Sequence, residues 1–104
     1  MKNYRIVAIL HSGEKGRRRR PVRSKADTDL LGRTFTFNWD DVCVGEIFHA
    51  KVNRPIDYVY PQTDYLEPFE SDEPVVARRC IRNRSEEYYE IETETRIYKL
   101  VLSK

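Results

Sequence analysis

Strict alternation of apolar and polar side chains, rather than helical spacing, organises this chain. In Thr34 to Trp39 the rings of Phe35, Phe37 and Trp39 alternate with Thr34, Thr36 and Asn38. A strand with this pattern carries aromatics on one face and hydroxyl or amide groups on the other. Glu46 to Val52 repeats the pattern, with Phe48, Ala50 and Val52 set against His49 and Lys51. Tyr89, Ile91 and Thr93 alternate with Glu90, Glu92 and Glu94, and Tyr98, Leu100 and Leu102 share one side of Ile97 to Leu102. Each run predicts a half-buried antiparallel strand whose apolar face is core. Tyr4 to Leu10 is apolar on both faces and predicts a strand through the middle of the sheet or barrel.

Turn-forming residues divide these runs at short intervals: Ser12-Gly13, Lys15-Gly16, Leu31-Gly32, Asn53-Arg54-Pro55 and Asn83-Arg84-Ser85. The last predicts a hairpin joining Val75–Arg82 to Glu86–Glu94, with adjacent Arg78 and Arg79 interrupting the alternation and marking a candidate bulge. A helix from Asp40 to Phe48 would have an aspartate cap, but Gly45 and the β-branched residues around it oppose one. The expected fold is all-β: a small antiparallel barrel, SH3-like or OB-like, of about six or seven short strands with a C-terminal meander. One domain is expected over residues 1–104. Val42 to Val52 resembles, over eleven residues, the start of the first strand of an S1-type OB domain. That resemblance implies barrel vocabulary and carries no binding residue with it.

Proline punctuates Arg54 to Pro74, at positions 55, 61, 68 and 74, interleaved with Tyr58, Tyr60, Tyr65 and Phe69 and with acids at 64, 67, 70, 72 and 73. Proline at this frequency resists both helix and central strand. The reading is an edge strand at Ile56–Tyr60, then an extended loop from Tyr65 to Glu73 with an acidic and aromatic face. Tyr58, Tyr60, Tyr65 and Phe69 are therefore candidates for docking a basic protein partner, or else form a minor core at one end of the barrel.

Charge changes the picture most at the N-terminal end. The net charge is +2, but residues 1–25 hold nine basic side chains and one acid, residues 26–74 three basic side chains and eleven acids, and residues 75–104 seven and five. Glu14 to Lys25 alone carries seven cations, including four consecutive arginines. Guanidinium groups at this density on a loop at 12–25 match phosphate oxygens, and four adjacent arginines suit self-neutralisation poorly. Arg17, Arg18, Arg19, Arg20, Arg23 and Lys25 are thus the candidate nucleic-acid contacts, with Arg78, Arg79, Arg82, Arg84, Arg96 and Lys99 as an extension and an exposed tyrosine or His49 to stack bases. The bland alternative is a solvated loop, or one folded back on the acidic segment.

Two histidines and four glycines supply neither a phosphate-binding glycine loop nor a zinc-hydrolase pattern, and no nucleophile motif is present. No enzyme activity, cofactor or metal is expected. Cys43 and Cys80 lie in unrelated contexts and are expected as reduced, partly buried thiols. With no apolar run of membrane length and no export signal, a cytoplasmic protein without a membrane partner is expected. The function expected is a small non-enzymatic binding domain that contacts single-stranded nucleic acid, or an acidic protein surface, through its arginine-rich loop. The alternative is a protein-interaction or regulatory module, an assembly subunit or small inhibitor, docking through the acidic-aromatic segment.

Overall fold

A computed structural model describes residues 1–12, 20–55 and 64–103, with the backbone alone at 54, 55, 64 and 65. Six antiparallel strands close into a ring: β1 (Lys2–His11), β2 (Thr34–Phe37), β3 (Ile47–Pro55), β4 (Asp64–Asn83), β5 (Glu86–Thr93) and β6 (Arg96–Leu102). Each strand lies beside its sequence neighbours and β6 returns to pair with β1, an up-and-down order. The all-β antiparallel architecture and the β4–β5–β6 meander follow from the alternation. The order itself is not the Greek key of an OB fold.

The alternating side chains meet inside the ring. Phe35 lies edge-on to Phe48 and Tyr98 at centroid distances of 5.4 and 6.1 Å, and Tyr4 stacks on Phe37 at 4.4 Å. Ile6, Val52, Val75, Ile91 and Leu100 fill the remaining space and are buried. Such ring pairs contribute about 0.5–1.5 kcal/mol each beyond the apolar area they bury.

β1 departs from its expected form. Tyr4 and Ile6 are buried and Arg5 and Val7 exposed in strict alternation, and the register against β6 then shifts between Ile6 and Ala8, which brings Ile9 inside. One extra residue at the bulge makes Ile9, rather than Ala8, the next inward residue after Ile6. The run that looks apolar on both faces is therefore half-buried.

β4 is the second departure. Residues 64–74, expected to be mainly loop, pair with β3, and residues 75–83 pair with β5. Prolines are tolerated because, among the described residues, no strand pairs with the other edge of this half. Val75 N–H donates to Glu46 C=O at 2.8 Å, which leaves the nitrogen of Pro74 facing away from β3. The strand bends where Ser71, Asp72 and Glu73 oppose Phe48 alone. There the buried Ser71 hydroxyl accepts from the Phe48 N–H (3.0 Å) and donates to the Glu73 carbonyl (2.7 Å). The β4–β5 hairpin turns at Arg84, which adopts φ 56°, and its bulge falls between Val75 and Ala77 rather than at Arg78. No helix spans 40–48; Asn38 caps a single 3-10 turn, Trp39–Asp41.

Ser71→Ala leaves a buried N–H and a carbonyl without their bridge. It is expected to lower unfolding free energy by about 1–3 kcal/mol in urea titration, with the slope unchanged. A second expectation concerns acid. Glu73 Oε1 accepts from Thr95 Oγ1 (2.6 Å), Thr95 N–H (3.1 Å) and Thr93 Oγ1 (3.1 Å), and these bonds hold its pKa below the ordinary 4.5, the Thr95 hydroxyl contributing most. A depressed pKa contributes stability above the unfolded value of about 4.5, and that contribution is lost as pH falls through the folded value. The stability gap between wild type and Glu73→Gln should therefore be full at pH 7 and close progressively below 4.5 in thermal melts.

Candidate functional site

Arg20 to Lys25 is anchored to the ring. His11 N–H donates to Arg20 C=O (2.8 Å), Val22 N–H donates to Ile9 C=O (2.9 Å), and Leu10 pairs with Pro21. Val22 is buried beside Ile9 in the core. The two attachment points of the intervening residues, His11 and Arg20, are thus one hydrogen bond apart. Arg17, Arg18 and Arg19 lie outside the described residues; Arg20, Arg23 and Lys25 lie within them, all exposed.

Chain direction changes at Ser24, whose extended backbone (φ −62°, ψ 147°) and hydroxyl cap a four-residue helix, α1 (Lys25–Thr28). Asp27 shares a hydrogen bond with the Ser24 hydroxyl and receives Arg96 Nε and Nη2 from β6 at 3.3 and 3.2 Å. Asp27 is buried and Arg96 partly so, giving an ion pair less screened than a surface one. It ties α1 to the ring, and with it the base of the basic segment. The capping signature Ser24-x-x-Asp27 is the sequence signal that identifies this element. Burial among Phe35, Phe48 and Phe69, with Asp27 nearby, pushes the Tyr98 phenol up to about 12.

The later cations are differently placed. Arg79 binds Glu90 (3.0 Å) and Glu92 (2.6 Å), and its pKa is raised chiefly by the bond to Glu92. Arg82 binds Glu87 at 3.3 Å. The Arg78 guanidinium lies 4.3 Å from the centre of the Trp39 ring and donates to Val42 C=O, and Lys99 Nζ lies 4.5 Å from the centre of Tyr88. Of the expected extension, Arg78, Arg79, Arg82 and Arg96 are thus engaged within the fold. His49 pairs with Glu70 across β3 and β4 at 3.4 Å.

Among the aromatic docking candidates, Tyr58 and Tyr60 lie outside the described residues, and Tyr65 is defined by its backbone pairing with Arg54. Phe69 is half-buried, with its ring 4.7 Å from Phe35. That places it in the core rather than on an open face. Cys43 and Cys80 are free, as expected, but exposed rather than partly buried; Cys80 Sγ lies 3.3 Å from Glu87 Oε1.

The charge and aromatic patterns of the sequence do not single out Arg5, exposed on the outer face of β1 between buried Tyr4 and Ile6, or Tyr88 on β5. No family model matches the chain, and no curated protein or solved structure matches it.

The Arg96–Asp27 tie is testable. Arg96→Gln should raise amide exchange at Thr28 and Asp29, whose N–H groups bond to Ser24 and Lys25, by about tenfold, while Val75 stays protected. Equal loosening of both sites would show that the pair supports the whole ring rather than α1.

Proposed function

We propose that this protein is a non-enzymatic binding domain that takes the phosphates of single-stranded nucleic acid on its basic segment, Arg17 to Arg20 with Arg23 and Lys25. The observation that carries this reading is the division of labour among the cations. Arg79, Arg82 and Arg96 neutralise carboxylates within the fold, whereas Arg23 and Lys25 point to solvent with no ion pair to a described residue. Charge left unpaired on an anchored segment is available to an outside anion. Phosphates spaced along a polymer suit several adjacent guanidinium groups, since each can hold a separate oxygen pair.

Docking through the acidic-aromatic segment has weaker support. Phe69 is occupied in the core, and residues 64–74 are a paired strand. The acids at 27, 70 and 73 are engaged by groups of the same fold, Arg96, His49 and Thr95.

Fluorescence anisotropy of a labelled mixed-sequence single strand, titrated at several salt concentrations, tests the reading. Binding should weaken with a log–log salt slope of magnitude about 3 or more, since four phosphate contacts on a single strand give roughly −3 and each further contact adds about 0.7. Replacing Arg17, Arg18, Arg19 and Arg20 together by serine should remove most of the affinity and reduce the magnitude of the slope by about 3. Absence of binding at low salt would overturn the proposal.

A further inference from the structure

The outer face of β5, β6 and β1 holds an open groove of about 700 Å3 that none of the docking candidates above describes. Its floor is Val7, Ala8 and Val101, and its basic side is Arg5 and Lys99. These residues are cross-strand neighbours: Tyr88 pairs with Val101 and Val101 with Arg5, while Ala8 pairs with Lys99. Val7 is 39% exposed, so the floor is apolar surface open to solvent on a face that usually carries polar residues. The volume lies within the range of about 300–1,000 Å3 typical of small-ligand sites.

The groove continues into the basic segment. Pro21 pairs with Leu10 and Val22 bonds to Ile9, so the base of the basic segment is held on β1 directly after the groove residues Val7 and Ala8, with Arg23 the next residue of that segment. Arg5 and Lys99 border the groove itself, and Arg23 belongs to the segment attached to β1 next to it. Arg5 and Arg23 have no ion pair to a described residue, and the partner of Lys99 is the neutral Tyr88 ring.

Resting on the function proposed above, we infer that this groove is the second half of the binding surface. A single strand leaving the arginine segment lays its phosphates along Arg23, Arg5 and Lys99 and packs a base over Val7, Val101 and Tyr88. The far wall sets the polarity. The Tyr88 hydroxyl donates a hydrogen bond to Glu86 there, and the Glu86 carboxylate repels phosphate while accepting from amino or hydroxyl donors. Backbone on the cationic side with base and sugar toward Tyr88 and Glu86 satisfies both walls. Aromatic and apolar contact with a base tolerates any sequence, as phosphate contact does.

The test is an amide chemical-shift map of the full-length protein with a mixed-sequence single strand, alongside salt-dependent anisotropy of Arg5→Gln/Lys99→Gln and of Val7→Glu. Shifts should appear at Val7, Ala8, Tyr88 and Val101 as well as at residues 20–25. The double variant should lose about 1.4 from the magnitude of the salt slope, as two phosphate contacts require. Val7→Glu, at an exposed position, should weaken binding with its melting temperature close to wild type. Shifts confined to 20–25, with an unchanged slope in the double variant, would overturn the groove and leave the basic segment standing. No binding by wild type at low salt would remove both.

Discussion

Closure of the sheet on itself is the constraint on which the rest of this protein depends. Strands that alternate apolar and polar side chains have one apolar face to bury, and an open sheet would leave that face to water unless another element covered it. The same sheet closed into a ring turns that face inward, and it leaves few unpaired edges in doing so. β1 bears the closure. One edge pairs with β6, and the other is shared by β2, by Gly32 and Arg33 on either side of Ile6, and by Arg20 to Val22. The last share matters most, because it turns the base of a highly charged segment into part of the fold.

The bends that permit closure are handled by single side chains. Where β4 leaves β3, Ser71 supplies the donor and acceptor that the ladder lacks, and Glu73 holds the turn between β5 and β6 through two threonines. Where α1 meets β6, Asp27 and Arg96 join two parts of the chain that are distant in sequence. Each device keeps buried polar groups satisfied, which a ring with bulges requires.

Much of this was legible in the sequence, and the exceptions have physical causes. Phe35, Phe37, Phe48 and Val52 alternate without interruption, so β2 and β3 could be read directly, as could the hairpin around Arg84. β1 could not, because a bulge at Val7 produces a continuous apolar run that mimics a strand buried on both sides. Residues 64–74 could not, because proline argues against a strand unless one of its edges is known to be unpaired. The candidate site was half legible. Arg23 and Lys25 stand out by charge alone, whereas Arg5 and Tyr88 come together only through register across β5, β6 and β1. Charge alone also could not separate Arg23 from Arg79, since the glutamates that neutralise Arg79 lie on a different strand.

The functional reading thus depends on the basic segment being part of the ring rather than an appendage to it. Amide hydrogen exchange at His11 and Val22, the two donors that hold the segment to β1, measures this directly, with Val75 as the ring reference. Protection at His11 and Val22 of the same order as at Val75 is the predicted result. Exchange at the rate of unstructured chain at both, with Val75 still protected, would contradict it and leave the arginines without a fixed place on the molecule.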